Sequence, residues 1–521
     1  MTKEYYQRKW LNFYESNEYM QNKVNIIFNN WELNKESFLR SPEVGNKGIK
    51  FSDDFGYSYF CEFSVETILM IFCTMLRPNM KIGLGFDLNT PGQIRKNVLN
   101  LFAQQGVQVY IFEKNSPTSE TNLRDLLKID RKLNGGIYFD FDQNEKAWYI
   151  KFFDVEGVLV PIKIQQKLVD SLSEFNLSLG NYSNIENSIN VSYDKVFEST
   201  FSKNKLFNFL QADDFLSNLK IEYSIQNEFF EKKFNTVARL LNLNTINSKI
   251  MMLNHNVSLF KSKFKSNDER SDLLVLVNKT NQLKIYNKVS GKLTEIENDL
   301  IAFLYIDFMI SYWRSAKMDN KLVILPLNAK KYVINLLESY SINYAYENQI
   351  YNEKDVLFSY NQGIFSTGLN DGFNYDNLKF LFYYIFMTNE YKIKGDFINY
   401  KTNQLLNVYN LHLYDQIRIS FDKIFLKKMD LIFSVGQKFT KTHEIVKIIK
   451  HNYESYGNFY LYTIILSDDS RIIYQYDIDD SKMIVHVEFM NNMNKMKVQN
   501  KIRFEELKNK AADAVKFAKK F

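Results

Sequence analysis

The sequence predicts an α/β protein built from several domains. A chain of 521 residues is too long for one hydrophobic core, and its hydrophobic fraction of 45% is that of a globular protein. Short apolar strands alternate with amphipathic helices at the spacing of βαβ units, and the C-terminal part changes to alternating strands. We therefore predict three similar α/β domains with mixed sheets covered by helices, followed by a C-terminal α+β domain.

The order of the elements supports this architecture. Residues 1 to about 78 predict helices, and residues 81–86, 90–105 and 107–112 predict a strand, a helix and a strand. Strands connected in this way are parallel neighbours in a sheet. The other predicted elements are strands at 273–277, 321–325 and 342–346, a helix at 329–340, antiparallel strands at 460–466, 470–476 and 483–489, and a basic helix at 504–521. The predicted domains are 1–170, 171–315, 316–425 and 426–521.

Composition argues against several classes of protein. The net charge of +6 is small for this length and both signs are interleaved, which argues against a nucleic-acid partner. The most apolar run, residues 68–76, is too short to span a membrane, and no secretory signal is visible. Cys61, Cys73 and the five scattered histidines form no metal-ligand pattern. We expect a cytoplasmic protein, and the heavy use of Asn, Lys, Ile, Phe and Tyr indicates an AT-rich bacterial genome.

The most informative stretch is residues 136–144, Gly-Ile-Tyr-Phe-Asp-Phe-Asp-Gln-Asn, where an apolar run leads into a polar loop. Before it come Ile-Gly-Leu-Gly-Phe-Asp at 82–87, Gly-Val-Gln-Val-Tyr at 106–110 and Ser-Pro-Thr at 116–118, and after it comes Tyr-Ile-Lys at 149–151. This order resembles the first domain of the α-D-phosphohexomutases (phosphoglucomutase/phosphomannomutase). That family reads Gly-Tyr-Asp-Ser-Arg, Gly-Ile-x-Val-Tyr, Pro-Thr-Pro, Gly-Ile-x-Ile-Thr-Ala-Ser-His-Asn-Pro and Asn-Gly-Tyr-Lys.

The resemblance implies a fold and a chemistry. The family's four domains surround a central cleft where four loops meet, and a phosphoryl group passes there between a serine and a hexose phosphate. In this chain the phosphoserine position falls on Asp142, and the next three positions read Gln-Asn-Glu. An aspartate would form a labile acyl phosphate in place of a stable ester. We therefore expect no catalytic residue here, and Asp142 to be a solvated loop residue.

The second loop lacks the family's metal ligands. The family reads Asp-Pro-Asp-Ala-Asp-Arg after an apolar strand, because Mg²⁺ takes hard oxygen ligands in octahedral geometry. Here the three aspartate positions are Asn278, Thr280 and Gln282, the arginine position is Leu283, and Lys279 adds a positive charge. We expect no metal cofactor, and Mg²⁺ only if the chain is an active mutase with atypical residues.

The third and fourth loops are also altered. The family holds sugar hydroxyls with the two glutamates of Gly-Phe-Glu-Glu-Ser-x-Gly, and we place a vestigial sugar pair at Asn361 and Gln362. It clamps the phosphate with Arg-Pro-Ser-Gly-Thr-Glu-Pro-Lys after Asp-Gly-Ser-Arg, and residues 468–471 here read Asp-Asp-Ser-Arg. The corresponding vestigial phosphate loop has glutamine for arginine, three acidic residues and one suitable lysine: Gln475, Asp477, Asp479, Asp480 and Lys482.

Three hypotheses for function follow from these observations. The first is a non-catalytic phosphohexomutase-like protein that acts as a structural or protein-binding subunit, with another protein or a complex as its partner. Its interface could use aromatic stretches at 5–6, 229–230 and 382–384 or the basic C-terminal helix, all of which also fit ordinary core or solvated positions. The second is an active phosphomannomutase/phosphoglucomutase with atypical residues. The third is a phosphatase of the haloacid-dehalogenase type, with Asp140 as nucleophile and Asp142 as acid/base.

Overall fold

A computed structural model describes most of the chain. The described residues are 2–52, 55–77, 79–112, 118–130, 132–142, 146–175, 188–192, 195–196, 219–248, 271–278, 281–289, 292–318, 320–347, 349, 351–352, 355–361, 363–367, 377–395, 398–409, 412–429, 431–452, 460–477, 481–490 and 497–520. Within them, the chain forms helices α1–α14 and strands β1–β21, which are arranged in four sheets.

The first sheet has a helical layer on each side. Its strand order is β1-β2-β6-β5-β3-β4-β7, in which β3 is parallel to both β4 and β5, and β5 and β6 form an antiparallel hairpin. The elements are α1 (Lys3–Phe13), α2 (Glu18–Asn29), α3 (Trp31–Leu39), β1 (Glu43–Gly45), β2 (Gly48–Lys50), α4 (Glu62–Met75), β3 (Lys81–Phe86), α5 (Gly92–Gln104), β4 (Gln108–Phe112), α6 (Glu120–Ile129), β5 (Gly135–Asp142), β6 (Ala147–Phe153), α7 (Ile162–Asp170) and β7 (Ser188–Val191).

The second and third sheets repeat the central part of the first. Their orders are β12-β11-β10-β8-β9 and β14-β13-β15-β16. The elements are β8 (Lys220–Ile225), α8 (Glu228–Leu240), β9 (Asn244–Asn247), β10 (Leu273–Val277), β11 (Leu283–Val289), β12 (Lys292–Ile296), α9 (Asn298–Ser315), β13 (Leu322–Leu325), α10 (Lys331–Ser339), β14 (Asn343–Tyr346), β15 (Val356–Asn361), β16 (Ile364–Thr367), α11 (Asn377–Ile393) and α12 (Ile398–Tyr409).

The repeat consists of four strands in one topology. A strand and a helix lead to a parallel second strand, the third strand pairs parallel with the first on its other side, and the fourth returns antiparallel to the third. The sets are β3-β4-β5-β6, β8-β9-β10-β11 and β13-β14-β15-β16, so the spatial order is the same in all three. This confirms the prediction of three similar α/β units with mixed sheets.

The C-terminal sheet is entirely antiparallel among the described strands, with the order β17-β21-β20-β19-β18. Its elements are β17 (His412–Ser420), a 3₁₀ turn (Lys423–Phe425), α13 (Leu426–Met429), β18 (Ile445–Asn452), β19 (Tyr460–Leu466), β20 (Arg471–Asp477), β21 (Lys482–Met490) and α14 (Lys497–Lys520). The predicted C-terminal α+β unit is therefore present.

The hydrophobic cores do not follow the predicted domain limits one to one. One large cluster joins the second and third sheets through residues of α9, α10 and α11, whereas the first and fourth sheets each have a separate core. Two strands also lie outside the sheet of their predicted segment, because β7 pairs with β4 and β17 pairs with β21. The predicted domain boundaries remain predictions.

The N-terminal region differs from the prediction of helices alone. The three-residue strands β1 and β2 form a hairpin, and β2 pairs with β6 at the edge of the first sheet. Strands of three residues are too short to show the alternating pattern of apolar and polar residues. They form here because β2 pairs with β6, which is distant in the sequence. Among the described residues, no helix is long and apolar enough to cross a membrane.

Candidate functional site

The turns of three equivalent hairpins carry the first three loops that the sequence singles out. These turns connect β5 to β6, β10 to β11, and β15 to β16. Each turn follows the third strand of its repeat, so the loops lie at the carboxyl ends of equivalent strands. α/β proteins place their ligands outside such carboxyl ends, which makes these turns the candidate site.

The structure corrects the expectation that Asp142 is a solvated loop residue. Asp142 is the last residue of β5, opposite Ala147, and its Oδ2 lies 2.9 Å from Nζ of Lys47. Its side chain is only 17% exposed, because the turn between β1 and β2 brings Lys47 onto it. Gln143, Asn144 and Glu145 lie outside the described residues.

A buried ionic network lies beside this strand. Nζ of Lys151 is 2.5 Å from Asp140 Oδ2 and 2.6 Å from Glu120 Oε2, and Glu120 also accepts a hydrogen bond from Arg124. Burial alone would raise the pKa of Glu120, but Lys151 and Arg124 outweigh it and lower that pKa. Burial alone would lower the pKa of Lys151, and its two carboxylate partners raise it. Lys151 is the lysine that matches the family's Asn-Gly-Tyr-Lys motif. Its positive charge is thus balanced by the carboxylates of Glu120 and Asp140.

The second loop closes on itself through its amide side chains. Nδ2 of Asn278 donates to Oε1 of Gln282 at 2.8 Å, and the backbone N–H of Gln282 donates to Oδ1 of Asn278 at 2.8 Å. Asn281 takes a left-handed conformation with φ 62°, which completes the tight turn between β10 and β11. Lys279 and Thr280 lie outside the described residues.

This donor set does not fit Mg²⁺. The two described residues at the aspartate positions are neutral amides, and each uses its side chain on the other. Mg²⁺ binds through carboxylates and waters in near-ideal octahedral geometry, so a mutual amide pair offers it neither charge nor converging oxygens. Within the described part of the chain, no three His, Cys, Asp or Glu residues come together as a metal site.

The third loop is anchored by Gly363. Its φ is +81°, and a Cβ at this position would lie 2.8 Å from the backbone oxygen of Leu283. The left-handed φ and this close approach together favour glycine at the position. The assignment of the vestigial sugar pair to Asn361 and Gln362 remains a prediction.

Asn361, the described member of the predicted sugar pair, and its neighbour Tyr360 are both hydrogen-bonded within the protein. The hydroxyl of Tyr360 donates to Asp299 at 2.6 Å, and Nδ2 of Asn361 donates to Oε2 of Glu347 at 2.6 Å. Burial raises the pKa of Asp299, and the hydrogen bonds from Tyr360 and from the backbone of Lys330 oppose that rise. Gln362 lies outside the described residues.

Asn377 joins the second and third loops, and no pattern in the sequence pointed to it. Its Nδ2 donates to the backbone oxygens of Gly363, at 2.8 Å, and of Asn281, while its Oδ1 accepts from Phe365 at 2.6 Å. The backbone of Leu283 also donates to Gly363 at 2.7 Å. The described residues of the two loops are therefore hydrogen-bonded to each other.

The fourth loop begins later than predicted. Gln475, at the arginine position of the phosphate clamp, lies within β20 and accepts hydrogen bonds from Asn328, at 3.0 Å, and from His486, at 3.1 Å. Asp477 faces Lys482 across the hairpin of β20 and β21. Asp479 and Asp480 lie outside the described residues. The glutamine thus joins two parts of the protein in place of presenting a cation to the cleft.

The recognisable Asp-Asp-Ser-Arg motif has a structural role. Arg471 is buried, pairs with Glu488 at 2.5 Å, and donates to the backbone oxygen of Ala329 at 2.5 Å. Asp468 lies 3.0 Å from Nε2 of His443. Burial alone would raise the pKa of Asp468, but hydrogen bonds from His443 and Ser470 lower it. The motif therefore holds the C-terminal sheet on the third one.

The structure also brings the loops of different sheets together. Nδ2 of Asn46, next to Lys47, donates to the backbone oxygen of Gln349 at 2.7 Å. Gln349 lies just after Glu347, the partner of Asn361, so contacts lead from the first loop to the third. Asn328 connects the third sheet to Gln475 of the fourth loop. Contacts thus connect the first three loops, and Gln475 contacts the connection that follows β13.

A polar cavity between the third and fourth sheets was not foreseen. It encloses about 310 Å³, and its walls include Glu297, Lys330, His412, Tyr414 and Glu488. Lys330 pairs with Glu297, and its Nζ lies 3.8 Å from the centre of the Tyr414 ring. Since these charges are compensated within the protein, the cavity offers no clear preference for one ligand class.

Comparisons with known proteins support the fold. No family model and no curated protein matches the sequence. Among solved structures, the phosphoglucomutase pp63/parafusin from Paramecium, in an open form, is similar with a TM-score of 0.64 and 12% identity, over 92% of this chain and 96% of that one. A phosphoglucomutase/phosphomannomutase family protein from Burkholderia thailandensis gives 0.56 and 11%, over 93% and 98%. A putative phosphomannomutase from Thermus thermophilus gives 0.53 and 11%, over 86% and 95%.

These similarities extend over nearly the whole of each chain, whereas the identities are low. Likeness at such identity establishes the fold and leaves the activity to be argued from the site. The chain therefore has the α-D-phosphohexomutase fold, as its loop order predicted.

Proposed function

We propose that this chain is a non-catalytic relative of the phosphohexomutases that serves as a structural or protein-binding subunit of a larger assembly. The observation that carries the proposal is the closed second loop, in which Asn278 and Gln282 bond to each other. Phosphoryl transfer depends on a cation that neutralises the charge developing on the transferred group. Neutral amides at two of the aspartate positions, bonded to each other, do not supply the charge that such a cation needs.

The first and fourth loops support the same conclusion. Asp142 has no hydroxyl to carry a phosphate ester, and its carboxylate is bound by Lys47. Gln475 replaces the clamp arginine and bonds to Asn328 and His486. A neutral amide cannot compensate a phosphate dianion as a bidentate guanidinium does. The residues that would carry the phosphoryl group, bind the metal ion and clamp the substrate phosphate are thus all replaced.

The N-terminal helices offer a surface for a protein partner. Tyr19, Ile26 and Leu33 follow one another at intervals of seven residues along α2 and α3, and their side chains are 73%, 64% and 86% exposed. By contrast, Tyr6, Phe230 and Phe382, from the three aromatic stretches suggested by the sequence, are buried. Exposed apolar residues that cluster on a surface mark interaction sites, and these three are the candidates in the N-terminal helices.

A metal titration tests the closed loop directly. We expect isothermal titration of the purified protein with Mg²⁺ to show no binding, and the variant Asn278→Asp/Thr280→Asp/Gln282→Asp to bind it, because three carboxylates restore the charge that the ion needs. Circular dichroism of both proteins controls for folding. Equal Mg²⁺ binding by the wild-type protein would contradict the proposal.

An activity assay separates the proposal from the active-mutase alternative. We expect ³¹P NMR to show no conversion of glucose 1-phosphate or mannose 1-phosphate to the 6-phosphate with Mg²⁺ present. A phosphohexomutase that keeps the phosphoserine motif serves as the positive control under the same conditions. Turnover by this chain that disappears in Asp142→Ala would establish the alternative.

The phosphatase alternative requires Asp140 as a nucleophile. Asp140 lies inside the paired hairpin, opposite Tyr149, and its carboxylate is bound by Lys151. A nucleophile must reach the phosphorus atom, and a residue within a strand ladder is poorly placed to do so. We expect no phosphate release from p-nitrophenyl phosphate, whereas release that Asp140→Asn abolishes would revive this hypothesis.

A further inference from the structure

The two faces of the C-terminal sheet have different neighbours. On one face, Arg471 donates to Ala329, and Ile473 packs with Leu327 of the third sheet's connection. On the other face, the hydroxyl of Tyr474 donates to the backbone oxygen of Ala511 at 3.2 Å, and the ring of Phe433 lies 5.9 Å from that of Tyr474. The described residues of 421–444 and α14 therefore form a layer on the side opposite the third sheet. We call this the outer layer.

The outer layer is strongly basic. Residues 421–444 contain five lysines and three acidic residues, and residues 497–520 contain eight basic and three acidic residues, whereas the whole chain has a net charge of only +6. The positive excess of these two segments together still exceeds that of the entire protein. In the described part of the layer, ion pairs engage Lys508 and Lys516 but not the exposed Lys427, Lys438 or Lys441.

Exposed aliphatic side chains stand among these lysines. Ile424, Leu431 and Val435 are 71%, 79% and 63% exposed. They are held on a rigid support, because the nearby Met429 and Phe439 belong to the core. The strand-like pairing of Gly436 with Ile445 fixes the segment that follows Val435. The outer layer thus presents exposed aliphatic residues and exposed lysines from one short segment of the chain.

We propose that the outer layer docks the protein on the surface of an anionic lipid membrane. Protein interfaces are enriched in aromatic residues and arginine and depleted in lysine. Residues 421–444 contain no arginine, and α14 contains only Arg503. The exposed residues described in 421–444 include three lysines and three aliphatic residues, against two acidic residues, Asp422 and Glu444. Lysines near an anionic bilayer gain from its surface potential, and aliphatic tips enter the boundary between headgroups and acyl chains. This inference does not depend on whether the cleft is catalytic.

Vesicle co-sedimentation tests the proposal with the full chain. We expect the protein to sediment with vesicles of equimolar phosphatidylcholine and phosphatidylserine and to stay in solution with phosphatidylcholine alone. Binding should weaken steeply with added salt, because screening removes the attraction of exposed charges. Wild-type protein that fails to bind the anionic vesicles would overturn the proposal.

Charge reversal identifies the surface. The variant Lys427→Glu/Lys438→Glu/Lys441→Glu should lower the affinity for anionic vesicles by about 100-fold, from roughly fivefold per lysine. The matched control reverses three exposed lysines of the first domain, Lys35, Lys96 and Lys163, and should change affinity by about twofold at most, since it alters net charge equally but not the outer layer. An equal loss in both variants would show attraction by net charge alone and overturn the assignment.

The aliphatic tips provide an independent readout. Leu431→Ser/Val435→Ser should lower vesicle affinity by about tenfold while leaving its salt dependence unchanged, because it removes inserted apolar area and no charge. Thermal unfolding of all variants controls for folding. If the outer layer captures an acidic protein but no vesicles, the surface is a protein interface and the proposal is wrong.

Discussion

At the scale of single residues, Lys151 shows that a buried charged side chain needs oppositely charged partners to be stable. It lies between Glu120 and Asp140 with a side chain 9% exposed. Lys47, in contrast, is 44% exposed and pairs with Asp142 near the surface. A buried charge left without its partner costs far more than a broken surface pair, so the two lysines should differ sharply in their contribution to stability.

We therefore expect Lys151→Met to lower the free energy of unfolding by about 3–5 kcal/mol, because it leaves two carboxylates in a desolvated site. Lys47→Ala should lower it by about 1 kcal/mol at most. Urea denaturation of the two variants and the wild type measures both values. Similar losses in both variants would mean that the Lys151 network is not desolvated as the structure indicates.

His486 should make stability depend on pH. Burial, followed by repulsion from Lys330, Arg471 and Arg418, lowers its pKa from 6.5 to about 4. Between these values the unfolded chain binds a proton that the folded protein does not. The free energy of unfolding should therefore fall as pH is lowered from about 6.5 to about 4, by up to about 3 kcal/mol.

His486→Gln tests this contribution, because its amide can still reach the hydroxyl of Tyr414 and the side chain of Gln475 without titrating. The loss of stability between about pH 6.5 and pH 4 should be smaller in this variant than in the wild type by up to about 3 kcal/mol. Denaturation with urea at several pH values gives the comparison. Parallel curves for both proteins would show that His486 is not the group responsible.

At the scale of elements, the hairpin between β15 and β16 depends on one glycine. Gly363 has φ +81°, and an added Cβ would lie 2.8 Å from the backbone oxygen of Leu283. Gly395, at the end of α11, has φ +73° but nothing within 4 Å of an added Cβ. A residue with a side chain would be strained by the left-handed backbone at either position. Only at Gly363 would its Cβ also collide with a neighbouring backbone atom.

Gly363→Ala should accordingly lower the free energy of unfolding by about 2 kcal/mol or more, and Gly395→Ala by about 1 kcal/mol. The difference between the variants measures the close approach of the second and third loops. Thermal or chemical denaturation provides the values. Equal losses would mean that the loops can separate to accept the methyl group.

At the scale of the whole molecule, the second and third sheets should unfold as one unit. Their residues share a single large core, whereas the C-terminal sheet has its own. Phe380 lies in the shared core, with its ring 4.3 Å from that of Phe365 and 5.1 Å from that of Tyr305. Cooperative units of this kind lose hydrogen-exchange protection together.

We expect Phe380→Ala, which should cost about 3–5 kcal/mol, to speed amide exchange in β10 and β13 alike. The matched change Val485→Ala, in the C-terminal core, should speed exchange chiefly in β19–β21. Hydrogen–deuterium exchange mass spectrometry distinguishes these patterns. Faster exchange in β13 without a change in β10 would show that the two sheets are independent.

Local patterns were sufficient to predict many elements. Strand β3 has the predicted limits, and β10 does as well, because each is a continuous apolar run between polar breaks. The replacement of the metal-position aspartates by Asn278, Thr280 and Gln282 is likewise a matter of residue identity and can be read directly. Strands β1 and β2 could not be predicted. Each has three residues, too few to show an alternating pattern, and β2 forms by pairing with the distant strand β6.

The sequence by itself determined which chemical groups this protein has in its four loops and, through apolar periodicity, where some of its strands and helices lie. Only the tertiary structure decided how those groups are used: the mutual bonding of Asn278 and Gln282, the role of Asn377 between two loops, and the close approach of Gly363 to Leu283. These outcomes depend on residues far apart in the chain meeting at the ends of strands. Periodicity reports the environment of each side chain, whereas a contact between distant segments exists only once the sheets have packed.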